Sequence, residues 1–172
     1  DFLKRSNNFL TNISQIPGKI ILIRPDWGLG DMIQFIRYAK LIQEHGGTVY
    51  VLPHGPLRDL LPTCYYIDRI ISRGEPIHFD LQISPMSLPN PFETTEKTIP
   101  QCVPYLYAEE NLEQFWHNEL STDPNFKIGI CWEGSTTVLY PRKNVPLELF
   151  EPIAAIPGVS LYSLQKMNGT QQ

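Results

Sequence analysis

The sequence lacks long apolar runs and any excess of positive charge. No apolar run in its 172 residues is longer than four, as at residues 20–23, so no segment is long enough to span a bilayer. The net charge of −4 removes the usual electrostatic reason to expect nucleic acid or an anionic membrane as a partner. With 42% apolar and 19% charged residues, the composition is typical of a soluble globular protein with a buried core.

Metal-ligand spacings are also missing. The three cysteines, Cys64, Cys102 and Cys131, show no Cys-x-x-Cys, and the four histidines form no pair at i, i+3 or i, i+4. We therefore predict no metal site and interpret the cysteines as small buried hydrophobic side chains. Unpaired cysteines favour a reducing compartment, so we predict a cytoplasmic protein.

The remaining pattern alternates strands and helices. Strands are predicted at residues 19–24, 48–52, 67–71 and 79–83, with helices at 31–45, ending at two glycines, and at 56–61. After a proline-rich loop at 84–104, a helix at 109–119 and a break at 121–125, the pattern restarts with strands at 127–132 and 159–164 around a helix at 147–156. This alternation predicts parallel sheets with right-handed crossovers.

We therefore predict an α/β fold: a parallel sheet followed by the opening strand-helix-strand unit of a second parallel sheet. The first domain is expected at residues 19–121, after a short helix or linker at 1–18, and the start of the second domain at 126–172. The chain begins with Asp1 rather than methionine and ends shortly after a predicted strand. We accordingly expect it to be a piece of a longer polypeptide.

A glycine-rich turn, Trp27-Gly28-Leu29-Gly30-Asp31, joins the first predicted strand to the first helix. Open α/β sheets place their ligands at such turns. Ile33 stands where a dinucleotide fingerprint has its third glycine, and no acid closes the second strand, so we reject NAD binding. Asp31 is either an N-terminal helix cap or a general base that takes a proton from an attacking hydroxyl, and Asp26 is a second, less favoured candidate base.

A second group of candidate residues follows the first strand of the restarted pattern. It comprises two hydroxyls and two adjacent cations: Ser135, Thr136, Arg142 and Lys143. Arginine suits bidentate phosphate contact and lysine supplies a point charge, so this group is either a diphosphate site or an ordinary polar surface loop.

Three further side chains follow predicted strands. His54 either faces a cleft at the sheet edge or caps a turn. Trp27 and Trp132 either stack on a sugar ring or pack in the core.

Residues 21–38 resemble the opening of the glycosyltransferase-like domain that follows tetratricopeptide repeats in many bacterial proteins. That domain is similar to the heptosyltransferases of glycosyltransferase family 9. The resemblance spans about residues 19–166 and continues through residues 73–76, 79–81, 87–89, 128–134, 142–147 and 163–166. One departure is Gly28, because heptosyltransferases usually have a serine before the Leu-Gly-Asp. Another is that most of the second domain is absent.

The resemblance implies a GT-B architecture, with two Rossmann-like domains and an active site in the cleft between them. The first domain would bind the acceptor, with Trp27, Gly28, Gly30 and His54 on the substrate side, and Asp31 matches the family's catalytic base. Ser135, Thr136 and Lys143 are the closest matches to the residues that contact the donor diphosphate, with Arg142 beside them.

The resemblance therefore implies transfer of a sugar from a nucleotide diphosphate sugar to a hydroxyl of a glycan, lipid or protein. No metal or other cofactor is expected, and helical repeats are expected upstream in the same polypeptide. The alternative is a non-catalytic binding or scaffold module that kept the fold and lost the chemistry.

Overall fold

The computed structural model describes residues 8–25, 28–134 and 144–166. The chain divides into two compact units, Asp1–Leu112 and Glu113–Gln172. The predicted break at residues 121–125 lies within the second unit, at the end of a helix.

The first unit alternates short strands and helices. Its strands are β1 Ile20–Ile23, β2 Thr48–Val51, β3 Arg69–Ile70 and β4 Leu81–Ile83, and its helices are α1 Leu29–Phe35 and α2 Ala39–Glu44. A 3₁₀ turn, Ile36–Tyr38, joins α1 to α2, so the helix predicted at 31–45 is three consecutive helical segments. The helix predicted at 56–61 is two 3₁₀ turns, Gly55–Leu57 and Leu61–Thr63, because Pro62 lacks the N–H that a continuing helix needs.

All four strands of the first unit form one parallel sheet in the order β3-β2-β1-β4, which confirms the predicted parallel sheet. Ile21 of β1 pairs with Val49 on one side and with Leu81 on the other. The central position of β1 explains its composition, because a strand covered on both faces is apolar throughout. Ile21, Leu22 and Ile23 are all fully buried.

The segment before β1 belongs to the same layer. Phe9 bridges to Gln82 of β4 in parallel, the Gln82 N–H donates to the Asn8 carbonyl at 2.9 Å, and the Leu10 N–H donates to the Gln82 carbonyl at 3.0 Å. Within residues 8–18 the predicted helix is confined to a 3₁₀ turn, Ile13–Gln15. This segment covers the β4 edge and contributes the buried side chain of Leu10 to the core.

The proline-rich segment is fastened to the helical layer at its end. Arg37 Nη2 donates to the Tyr105 hydroxyl at 3.0 Å, and that hydroxyl donates to the Ile33 carbonyl at 3.1 Å. The Arg37 guanidinium also lies 4.8 Å from the centre of the Tyr105 ring. Arg37, which lies in the stretch 21–38 that carries the family resemblance, therefore fastens the end of the proline-rich loop to the helical layer.

The second unit is built around one pair of parallel strands, β5 Phe126–Ile130 and β6 Val159–Ser163. A 3₁₀ turn, Leu147–Phe150, and α4 Glu151–Ala154 connect them, in place of the single helix predicted at 147–156. The helix α3, Glu110–Ser121, spans the division between the units and has no buried residue. Its apolar side chains Leu112, Phe115 and Trp116 are all more than half exposed.

Candidate functional site

Asp31 lies in the first turn of α1, and its carboxylate closes that turn. The Gly28 N–H donates to Asp31 Oδ2 at 3.0 Å. A carboxylate at the third helical position that accepts from the residue preceding the helix is one half of a capping box. The geometry therefore supports the capping interpretation of Asp31, and its role as a general base stays a prediction.

The two glycines of the turn differ in their surroundings. Gly28 has φ −80°, which any residue adopts, but a Cβ there would lie 3.3 Å from Asp31 Oδ2. A Cβ on Gly30 would meet no atom within 4 Å. Gly28 is thus fitted to the Asp31 carboxylate, whereas Gly30 leaves open space beside the first turn of the helix.

A cleft of about 520 Å³ lies at the carboxyl edge of the sheet in the first unit. Because β1, β2 and β3 are parallel neighbours, the residues that follow them meet at one edge. The polar side chains that line the cleft are Arg24 after β1, His54 and Arg58 after β2, and Arg73 after β3. Leu52 and Ile71 add apolar wall between them.

His54 lines this cleft. This is the first of its two predicted alternatives, in which the side chain faces a cleft at the sheet edge. Asp31, Gly28 and Gly30 are not among the residues lining this cleft. Sequence reasoning missed the arginines. Arginine follows two of the three neighbouring strands within a few residues, and this repetition was the signal available in the sequence.

Two of the arginines are held by neighbouring polar groups. Arg24 Nη1 donates to Oε1 of the buried Gln82 at 2.7 Å, and Arg58 Nη2 donates to the Ser72 hydroxyl at 2.8 Å. Arg73 is exposed and makes no hydrogen bond or ion pair with another residue of the described ranges. The Arg24 guanidinium is therefore supported by Gln82 of the sheet, and the Arg58 guanidinium by Ser72 of the loop after β3.

Glu75, in the loop after β3, interacts with the charge of Arg58 but does not line the cleft. Glu75 accepts from Arg69 Nη2 at 2.6 Å and from the Ser72 N–H at 2.8 Å. The Ser72 N–H first, and then the charges of Arg69 and Arg58, hold the pKa of the Glu75 carboxyl below its usual value. None of the described residues that line the cleft is acidic.

His54 contributes a polar atom without a partner. Its Nε2 is shielded from solvent and accepts or donates no hydrogen bond within the described part of the chain. An unsatisfied buried nitrogen is destabilising, and such atoms are found where a protein keeps a group for function.

In the second unit, the predicted diphosphate residues Ser135, Thr136, Arg142 and Lys143 lie outside the described residues, as do Trp27 and Asp26 of the first unit. The described residues on either side of residues 135–143 are hydrogen-bonded to each other. The Gly134 N–H donates to Asn144 Oδ1 at 3.0 Å, and the Val145 N–H donates to the Trp132 carbonyl at 2.9 Å.

Gln165 fastens the end of β5 just before this segment. Its Oε1 accepts from the N–H groups of Trp132 and Glu133 at 3.1 and 3.0 Å, and its Nε2 donates to the Glu133 carbonyl at 2.8 Å. Gln165 belongs to the resemblance motif, but sequence reasoning assigned it no role. Its partners are more than thirty residues away in sequence, so only the paired strands bring them together.

Trp132 is buried, as the core-packing alternative for this side chain requires, but it belongs to neither hydrophobic cluster of the described residues. The prediction of buried cysteines is confirmed for Cys64 and wrong for Cys131, which is exposed. Cys131 lies between the buried Ile130 and Trp132, and successive residues of an extended chain point to opposite faces. Cys102 is partly buried, and burial raises the pKa of the Cys64 thiol.

Neither a metal-binding cluster nor a membrane-spanning helix is found among the described residues. They contain no group of three His, Cys, Asp or Glu side chains placed to hold a metal ion. Nor do they include a helix with the length and apolar character needed to cross a membrane.

Together these elements define a mixed α/β protein whose four-stranded parallel sheet is consistent with a Rossmann-like fold. Comparison with models of known families, with curated proteins and with solved structures gives no significant match to the chain.

Proposed function

We propose that this chain is part of a glycosyltransferase-like protein of GT-B architecture, which transfers a sugar from a nucleotide diphosphate sugar to an acceptor hydroxyl. In this proposal the first unit binds the acceptor and the second unit binds the donor. The observation that carries the proposal is Asp31, a carboxylate held in the first turn of the helix that follows the central strand of a parallel sheet.

Asp31 would act as the general base of the transfer. Its carboxylate takes the proton of the acceptor hydroxyl as that oxygen bonds to the anomeric carbon, and the bond from that carbon to the diphosphate breaks. The Gly28 N–H occupies Oδ2, which fixes the orientation of the carboxyl group and directs the proton to the other oxygen, Oδ1.

The leaving diphosphate would be stabilised by cations and hydroxyls of the second unit. We assign this role to Ser135, Thr136, Arg142 and Lys143, on the basis of the sequence resemblance. Fixed positive charge aimed at the developing negative charge supplies electrostatic stabilisation without a metal ion. The hydrogen bond between the Gly134 N–H and Asn144 Oδ1 supports this assignment only in that it joins the two residues that flank the group.

The substitution Asp31→Asn separates the base from the cap. Asparagine retains an oxygen that accepts from the Gly28 N–H, so the helix start is preserved, but it cannot take a proton. We expect transfer by the full-length polypeptide to fall at least about 100-fold. The measurement is release of nucleoside diphosphate from ADP-, GDP- and UDP-sugars in the presence of hydroxyl acceptors, with thermal unfolding followed in parallel.

Glu113→Gln is the matched control, since it removes one charge from the exposed helix α3. It should leave both rate and unfolding temperature unchanged. Transfer by Asp31→Asn at the wild-type rate would show that Asp31 is only a cap and that another group is the base.

A second candidate is a non-catalytic binding or scaffold module. The hydrogen bond between Asp31 and Gly28 favours it, because this bond gives the carboxylate a structural role that requires no chemistry. Calorimetric titration with the same nucleotide sugars discriminates between the two candidates. Binding of a sugar nucleotide by the full-length polypeptide supports the enzyme, and absence of binding to any of them supports the scaffold.

A further inference from the structure

The cleft at the carboxyl edge of the first sheet has an unusual charge. Arg24, Arg58 and Arg73 line one volume of about 520 Å³, and no described residue of its lining is acidic. The like charges of Arg58 and Arg73 at one cleft favour the binding of an anion. The chain as a whole carries a net charge of −4, so this local excess of positive charge is not a reflection of overall composition.

We infer that this cleft, the arginine cleft, binds the phosphate group of an organic phosphate monoester. The inference goes beyond the proposed glycosyl transfer and does not depend on it, because the arginine cleft does not include Asp31 and requires no proton transfer.

The charge and the donor geometry of the guanidiniums both favour a phosphate. A guanidinium presents a planar fork of N–H groups that matches phosphate oxygens in pairs. Within the described residues Arg58 uses one of its five donors on Ser72, and Arg73 uses none. A phosphate monoester is close to a dianion at neutral pH and carries three strong acceptor oxygens, which suits several cations better than a single carboxylate does.

The rest of the lining favours an organic group attached to the phosphate. Leu52 and Ile71 form apolar wall beside the arginines. A cleft of about 520 Å³ falls within the range of small-molecule sites and is far larger than inorganic phosphate requires. His54, with its unpartnered Nε2, adds a polar group at the same wall.

The position of the arginine cleft supports the same conclusion. Ligands of open parallel sheets bind outside the carboxyl ends of the strands. Here the support for the cations is part of the sheet itself: Arg24 is held by Gln82, a buried side chain of β4. Loss of the Gln82 side chain would change the position of the Arg24 guanidinium without changing the charge of the cleft.

The test uses phenyl phosphate as probe, with titration of the full chain followed by calorimetry and by ³¹P NMR. We expect saturable binding, weakened about tenfold or more by Arg73→Gln and by Arg58→Gln, because each removes a charge-assisted contact to phosphate. Lys97→Gln is the control for net charge, since Lys97 is an exposed cation outside the cleft, and binding should change less than twofold. Arg73→Lys keeps the charge but loses the fork, so binding should lie between the wild type and Arg73→Gln.

Three comparison ligands and one variant decide the outcome. Inorganic phosphate should bind more weakly than phenyl phosphate, and benzoate and phenol more weakly still. Equal affinity for benzoate would overturn the assignment to phosphate, and equal affinity for inorganic phosphate would overturn the organic part. Binding that is absent, or that Arg73→Gln and Arg58→Gln leave unchanged, would overturn the site. Asp31→Asn should bind phenyl phosphate like the wild type, so failure of the proposed base and failure of the arginine cleft are separate results.

Discussion

Asp80 illustrates how a single carboxylate fixes the beginning of the central strand. Its Oδ2 accepts from the Ile20 N–H at 2.8 Å, and Lys19 Nζ lies 3.3 Å from Oδ1. The Ile20 N–H is the main cause of the lowered pKa of the Asp80 carboxyl, and Lys19 adds to it against the opposing effect of burial. Asp80 lies within the resemblance motif, yet its contacts are those of a residue that aligns β1 with β4.

This geometry predicts a pH-dependent effect of Asp80→Asn. A carboxyl whose pKa is lower in the folded state stabilises the fold above its unfolded pKa of about 3.9, and that contribution is lost as pH falls through the lower folded value. We expect the substitution to cost about 1 kcal/mol at pH 7 and to cost progressively less below about pH 4. Urea unfolding across this range measures it, with the exposed Asp59→Asn as control. A cost that is the same at pH 7 and pH 3 would contradict the ionic contribution.

Among the elements of the first unit, the connection from α2 to β2 depends on two glycines, Gly46 and Gly47. Gly46 has φ +78°, a conformation that favours glycine, and it ends the helix as the sequence predicts. Gly47 is constrained differently. A Cβ there would lie 2.7 Å from the fully buried side chains of Ile16 and Ile42.

Gly47→Ala should therefore destabilise the protein by about 1–3 kcal/mol, because the added methyl group overpacks a filled core. Gly30→Ala is the contrasting substitution, since a Cβ there meets no atom within 4 Å and alanine favours a helix. It should leave stability unchanged or raise it by up to about 1 kcal/mol. Chemical unfolding of both variants measures the difference, and equal stabilities would refute the packing argument.

In the molecule as a whole, the two units differ in how many buried apolar side chains each contains. The first has a four-stranded sheet and most of the buried apolar side chains. In the described part of the second, two strands pair, and α3 and α4 have no buried residue. A two-stranded sheet is marginally stable in water unless further structure covers it.

We therefore expect a fragment of residues 1–112 to unfold cooperatively on heating and a fragment of residues 113–172 to show no cooperative transition. Circular dichroism and amide exchange on the separate fragments check this. A sharp transition in the second fragment would mean that its short strands and exposed helix suffice for a core.

The class of fold and the order of its elements follow from local patterns in the sequence. Residues 20–23 and 48–52 predicted parallel strands, and the glycines at 46 and 47 predicted the end of the helix, because these are local properties of spacing and backbone freedom. Local patterns also made Asp31 a candidate cap, since the cap and its partner are three residues apart.

Which side chains come into contact depends on the tertiary structure. Arg24, His54, Arg58 and Arg73 come from segments up to fifty residues apart and share one cleft because three strands end at one edge. Gln165 reaches Trp132 and Glu133 only because β5 and β6 pair. Such contacts depend on strand order and register, which no local pattern of residues specifies.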